Sequence, residues 1–256
     1  MNWQPIDCHA HSTFSDGALT VAELVARAGV LGVRPSVSDH ISRDVSRSIT
    51  SVSGVRAYLD ALDQVDVLRG GEFCWHDSLW RQLPDDLVRR FTHRIGSLHA
   101  IKLSDGTLVR AFSHQAPQDL SVHTYMDAHL ASLEQLAADM PVDILAHPTL
   151  VALPFRGVDV DILWTATRER RMIEALFNAN ITFEISARYP PHDRLVRMAV
   201  EHGVRISLGS DGHTLEQVAN IERPLALARA LGVADVELYD PARHGTKTRH
   251  GAEAPT

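Results

Sequence analysis

The chain has 256 residues, is 45% hydrophobic and 22% charged, and carries a formal net charge of −7. That length suits one large domain with a sizeable core, and the acidic balance argues against a general nucleic-acid binder, which needs a basic face. Two cysteines, Cys8 and Cys74, cannot build a disulfide framework and fit a reducing cytoplasm.

The N-terminal "MNWQPIDCHAH" has neither the basic nor the apolar region of a signal peptide. No apolar run reaches membrane-spanning length. Seven short strand-type runs follow in order: "PIDCHA" at 5–10, "VRPSVSD" at 33–39, "VDVLRGGEF" at 65–73, "HRIGSLHA" at 93–100, "PVDILAHP" at 141–148, "ITFEIS" at 181–186 and "VRISLGSD" at 204–211. Helical patterns alternate with them. "TVAELVARAGVLG" opens with a capping box, Thr20 and Glu23, and ends at Gly32. "TYMDAHLASLEQLAADM", "RRMIEALFNAN" and "PHDRLVRMAVEHG" have apolar residues at helical spacing. "TLEQVANIERPLALARALG" is interrupted by Pro224, which kinks or splits it.

Regular alternation of strand and helix predicts a parallel α/β architecture. With seven repeats and no Rossmann-type glycine loop, a closed or distorted barrel fits better than an open sheet. A single domain is expected over residues 1–242. The polar tail at 243–256 lacks periodicity and is expected to be disordered. Residues 102–122 are expected to form a long loop or small insertion.

The 15 histidines are informative through their placement. His9 and His11 end the first strand, and alternation points both side chains to one face, with Cys8 opposite. Asp16 follows in the loop. His40 follows strand two, Glu72 ends strand three, His99 strand four and His147 strand five. Asp211 and His213 follow strand seven. Six histidines and three carboxylates thus share one end of the strands. In a (β/α) barrel, that is the face that carries the active site.

A lone histidine at a strand end is usually a hydrogen-bonded structural residue. His129 and His202 in helices, His114 and His123 in a loop region, and His244 and His250 in the tail fit that reading. The nine convergent residues instead indicate a metal site of nitrogen and oxygen ligands, suited to zinc, manganese or iron. Nine ligands exceed one tetrahedral ion and suffice for two or three if a carboxylate bridges.

These motifs resemble those of the PHP (polymerase and histidinol phosphatase) superfamily, in order. "HAHSTFSDG" is similar to its first motif and "VSDH" at 37–40 to its second. "GGE" at 70–72, "GSLH" at 96–99 and "LAHP" at 145–148 resemble the middle motifs, and "GSDGH" at 209–213 the last, where S-D-A-H is common. The resemblance runs from about residue 6 to residue 232. It implies a distorted (β/α)7 barrel, a TIM-like PHP fold, with three divalent metal ions. His9, His11, Glu72 and Asp211 would hold the first ion. Glu72, His99 and His147 would hold the second, with Glu72 bridging, and Asp16, His40 and His213 the third. "ITFEISARYPP" resembles the E-I-N-T segment of the histidinol-phosphatase-type branch, with Ser186-Ala187 in place of Asn-Thr.

The implied activity is hydrolysis of a small phosphomonoester by a metal-bridging hydroxide, with histidinol phosphate the leading named substrate. A nucleotide or another organic phosphate is the alternative within the same chemistry. Amide hydrolysis would more typically show a metal-bridging lysine, which no strand end provides. A metal-dependent regulatory or structural module is the alternative of another class. Asp39 either orients a histidine or caps a strand end, and Asp7 has the same two readings. Arg188, just beyond strand six, and Arg156, in "LPFRG", are candidates to clamp phosphate. The "RERR" at 168–171 reads as a solvated helix face. Trp75 and His76, after Glu72, are candidates to line the pocket. The expected partner is a small phosphate ester.

Overall fold

A computed structural model of the chain describes residues 3–246. In chain order the strands are β1 (Ser36–Val37), β2 (His40–Ile41), β3 (Leu68–Arg69), β4 (Glu72–Cys74), β5 (Ile95–Ser97), β6 (Ala100–Lys102), β7 (Leu108–Arg110), β8 (Ile144–Leu145), β9 (Thr182–Ser186) and β10 (Ile206–Gly209). The helices are α1 (Val21–Val30), α2 (Val52–Leu62), α3 (Asp85–Val88), α4 (Val122–Asp139), α5 (Val160–Leu163), α6 (Ala166–Asn178), α7 (Asp193–Glu201), α8 (Glu222–Ala230) and α9 (Pro241–His244).

A six-stranded sheet of order β10-β9-β8-β5-β4-β2 forms the centre, and its strand pairs are all parallel. β1 and β3 form a second parallel pair. The ladder does not close as a seven-stranded barrel. Its two ends are spanned by the extended segment 5–11, which makes isolated bridges in place of a strand. Cys8 N–H donates to Leu208 O at 2.9 Å, while Ala10 O accepts from Ser38 N–H at 2.8 Å and Pro5 O from Arg34 N–H at 2.8 Å.

The second and third predicted strands are each broken in two, for a physical reason. The Tyr58 hydroxyl, fully buried on α2, enters the break. It lies 3.1 Å from Val37 O and 3.0 Å from Gly70 O, and accepts from Asp39 N–H at 3.3 Å. Gly70 leaves room for Ser38 and His93 beside the break, because a Cβ there would lie 2.3 Å from Ser38 Oγ and 2.7 Å from His93 Nε2.

The capping box of α1 forms as read, with Thr20 Oγ1 accepting from Glu23 N–H and Glu23 reaching back to Thr20 N–H. Gly32 takes φ +65° just past that helix. Pro224 sits in the first turn of α8, where its missing N–H costs no helical bond, so the predicted long helix survives only from Glu222. Residues 102–122 are not simply a loop: β6 and β7 pair as an antiparallel hairpin. α2, capped by Ser51, has no counterpart among the predicted helices.

The "RERR" reading is corrected at its first two positions. Arg168 is buried and donates to Ile162 O and Leu163 O at the end of α5. Glu169 is fully buried and receives Arg194 and His192. Those fixed partners outweigh the solvation that the charge run suggested. The expected tail also begins later than read, since α9, capped by Asp240, includes Arg243 and His244. Residues 247–256 of that tail lie outside the described residues. Among the described residues no helix is long and apolar enough to cross a membrane.

His129 is buried in α4 beside Tyr125 and Trp164. Burial pulls its pKa down to about 4. Its folded pKa lies below its unfolded value, so the unfolded chain binds the extra proton and stability falls as the pH drops from about 6.5 toward 4. Urea unfolding across that window should therefore show the wild type losing on the order of 3 kcal/mol more than His129→Leu.

Candidate metal centre

His9 and His11 project from the extended segment to one side, both fully buried, while Cys8 packs into a small apolar cluster with Ile95 and Ile144. Two aspartates shape the flanking loops. Asp39 accepts from Ser12 N–H at 2.8 Å, Ser12 Oγ–H at 2.7 Å and Ser15 Oγ–H at 2.5 Å. It folds the 12–17 loop back so that Asp16 re-enters the site. Asp7 accepts from Ser210 N–H at 2.8 Å, Ser210 Oγ–H at 2.6 Å and Ala219 N–H at 3.0 Å, which fixes the turn carrying Asp211 and His213. Burial raises the Asp7 pKa to about 6. Among the described residues neither aspartate hydrogen-bonds a histidine ring, and Asp39, left open between orienting a histidine and capping a strand end, braces a loop.

Glu72 stands at the centre, with His40 directly opposite it in the β2–β4 register. Its Oε1 lies 3.2 Å from both His99 Nε2 and His147 Nε2. Its Oε2 lies 2.6 Å from His40 Nδ1, 3.5 Å from His9 Nε2 and 3.7 Å from His11 Nε2. Asp211 Oδ1 reaches His11 Nε2 at 3.3 Å and His213 Nδ1 at 3.6 Å. Asp16 Oδ1 reaches His213 Nε2 at 3.3 Å and His40 Nε2 at 3.5 Å. All nine residues singled out in the sequence therefore meet in one cluster.

The cluster is electrostatically costly. Burial pushes the Glu72 carboxyl up, but His99, His40 and His9 more than offset this and hold it well below the usual carboxylate range. Asp211 behaves likewise, with His11 and His9 opposing its burial. Burial, reinforced by neighbouring His40, drives His11 down to about 3. Imidazole nitrogens face each other at 3.2 Å between His9 and His11 and at 3.3 Å between His99 and His147. Among the described residues, His11 Nδ1 is buried with no hydrogen-bond partner, and His40 Nδ1 and Glu72 Oε2, though 2.6 Å apart, are not aligned for a hydrogen bond. Lone pairs that converge and find no proton donor fit divalent cations.

Three groups of donors lie close enough to share an ion: His11, Asp16, His40 and His213; His9, His11 and Asp211; and His40, Glu72 and His99. His11 and His40 each belong to two groups, which the position-by-position carry-over did not anticipate.

The carboxylate that orients a histidine is Glu184, whose role the sequence reading missed. Its Oε1 lies 2.7 Å from His9 Nδ1, and its Oε2 accepts from His147 N–H at 2.5 Å. That bond turns His9 Nε2 toward the cluster and holds His147 at φ +31°. The signal available was its position on a strand with the side chain facing the first strand. Cys74 Sγ supports His99 in the same way, 3.0 Å from Nδ1.

A cleft of about 260 Å³ opens over the cluster, with His99, His147, Phe112, Tyr189 and Arg188 among its walls. Arg188 Nη1 lies 2.6 Å from His213 Nδ1. Arg156 lines a neighbouring pocket and not this cleft. Trp75 and His76 also fall elsewhere, in a groove shared with Lys102 and α4, so their reading as lining residues is corrected. The reason is that the chain leaves the sheet after Cys74 and turns away.

No family model matches the chain. A protein named Probable phosphatase from Shewanella amazonensis is 23% identical over 88% of this chain and 83% of its own length. A protein of the same name from Clostridium novyi is 23% identical over 55% of this chain, and the match spans 49% of that protein. The DNA polymerase/3′-5′ exonuclease PolX of Bacillus subtilis is 25% identical over 87% of this chain, and the match spans 36% of it. A solved structure from Listeria monocytogenes, provisionally named histidinol phosphatase hisK, superposes with a TM-score of 0.67 at 17% identity over 84% of this chain and 97% of that one. In sequence and fold the chain resembles proteins of the PHP superfamily. Its α/β fold around a parallel sheet is shared with that solved structure.

Gly209 makes room for the Glu184 contact in this site: a Cβ there would lie 2.1 Å from Glu184 Oε1 and 2.9 Å from His9 Cβ. Gly209→Ala should destabilise the metal-free protein by about 1–3 kcal/mol in urea unfolding, through overpacking. The variant should also retain less metal by elemental analysis.

Proposed function

We propose that the chain is a metal-dependent phosphoesterase acting on a small phosphomonoester. The observation that carries this reading is the two-sided Glu72 carboxylate, one oxygen facing His99 and His147 and the other facing His9, His11 and His40. A bridging carboxylate between two sets of imidazoles is what adjacent divalent ions require. The proposed assignment places His9, His11, Glu72 and Asp211 around one ion. Glu72, His99 and His147 surround a second, and Asp16, His40 and His213 a third. The phosphatase names of relatives and the order of the motifs support it.

When bound, such ions lower the pKa of water toward neutrality and draw negative charge from phosphoryl oxygens. The chain's own residues do the rest. Glu184 holds the proton of His9 on Nδ1, leaving Nε2 free for the cluster. Arg188, on the cleft wall, presents its guanidinium to phosphate oxygens, where charge develops during transfer. Burial of the histidines excludes bulk water from the ligand side of the cleft.

The resemblance puts histidinol phosphate first among named esters, with a nucleotide or another organic phosphate as the alternative, and the side pocket described below argues for the alternative. The acidic balance argues against broad nucleic-acid binding, yet the PolX match covers 87% of the chain. A phosphate ester at a nucleic-acid end is therefore the second reading.

The test is phosphate release from histidinol phosphate, nucleoside monophosphates, sugar phosphates and a short 3′-phosphorylated oligonucleotide, with manganese, zinc or iron. Release from at least one, lost in His9→Ala and on chelation, is expected. Release from none while metal stays bound would overturn the phosphoesterase reading in favour of a regulatory or structural module.

A further inference from the structure

Beside the metal cleft lies a shallow pocket of about 370 Å³ that shares Arg188 and Tyr189 with it. Its floor is apolar, with Val151, Leu163 and Trp164, and no Asp or Glu lines it. Arg156 stands at its edge. The Arg156 Nε–H donates to Val151 O at 3.1 Å and Nη2–H donates to Ala111 O at 3.1 Å. The guanidinium carbon also lies 5.1 Å from the Phe112 ring centroid and 5.6 Å from that of Tyr189.

These contacts fix the guanidinium and, among the described residues, leave its Nη1 edge without a hydrogen-bond partner. Nearby Arg168 pairs with Asp127, and Arg194 with Asp161 and Glu169. Among the described residues, Arg156 has no carboxylate within 4.0 Å. A held but uncompensated guanidinium is preorganised to receive an anion.

We propose that this side pocket seats the alcohol part of the substrate and selects a leaving group that bears a second anionic group, a carboxylate or a phosphate, which meets the free edge of Arg156. The inference rests on the phosphoesterase reading and narrows it. The scissile phosphate occupies the metal cleft near Arg188, and the leaving group extends past Tyr189 along the apolar floor. An ammonium group on the alcohol would instead enter a pocket edged by two guanidiniums and no carboxylate, so amine-bearing esters, histidinol phosphate included, are disfavoured.

The experiment compares 3-phosphoglycerate, glycerol 3-phosphate and phosphoethanolamine, and fructose 1,6-bisphosphate with fructose 6-phosphate, on metal-loaded wild type, Arg156→Gln and Arg156→Lys. The wild type should rank the acid-bearing ester above the neutral one and the neutral one above the amine. In Arg156→Gln the ratio of kcat/KM for 3-phosphoglycerate to that for glycerol 3-phosphate should fall roughly 10- to 100-fold, mostly through KM, with partial recovery in Arg156→Lys. The bisphosphate pair separates the two anions: a matching fall in its ratio marks phosphate as the preferred second group, and no fall there marks carboxylate. An unchanged ratio in both pairs, or a wild-type preference for the amine, overturns the proposal. Isothermal titration with 3-phosphoglycerate and glycerol 3-phosphate separates the two inferences. Weaker binding of the acid alone in Arg156→Gln, without hydrolysis of any ester, would keep the pocket and overturn the phosphoesterase reading. Equal loss of both ligands would overturn the pocket whatever the turnover.

Discussion

A fully buried carboxylate, Glu72, faces five imidazoles, and the rest of the structure is arranged to tolerate that cluster. Taking such groups out of water costs several kcal/mol per ion unless partners compensate. The mutual compensation is visible in the directions of titration, with Glu72 and Asp211 held ionised by the rings around them and His11 held neutral. It remains incomplete at His11 Nδ1 and between the misaligned His40 Nδ1 and Glu72 Oε2, where a cation could supply what the protein atoms lack.

Around the cluster, three further carboxylates keep its geometry. Asp39 ties the loop of Asp16, Asp7 ties the turn of Asp211 and His213, and Glu184 links His9 to His147. Each uses both oxygens on neighbouring backbone, hydroxyl or ring groups, so each connects segments distant in sequence. The backbone itself is held away from ordinary conformations at two of the nine positions, His147 at φ +31° and Asp211 at φ +49°. Such residues persist where surrounding bonds over-determine them, and the bonds from Glu184 to His147 N–H and from Asp211 N–H to His9 O do that here.

Much of the site was legible because ligand-type residues recur where strand patterns end, and alternation fixes the side to which His9 and His11 point. The supporting network was less legible. Asp39 and Glu184 are both acids beside motif residues, and local sequence does not say which of them reaches a histidine. Arg168 and Glu169 sit in a charge run that reads as solvated, and only the packing of α6 against α5 and α7 shows them buried. Arg156 and Arg188 each follow a strand, yet one lines a separate pocket, because a loop's direction depends on what it packs against.

The strand-helix alternation, the α1 capping box, the break at Pro224 and the identity of the nine clustered residues were fixed by the sequence alone, since each rests on periodicity, local hydrogen bonding or residue chemistry. Tertiary structure decided that the sheet ends are spanned by single bridges, that Tyr58 splits two strands, that His11 and His40 are shared between donor groups, and that Arg156 faces a pocket of its own. Those features depend on contacts between residues far apart in the chain, where a side chain's partner is set by the packing of whole elements and not by its neighbours in sequence.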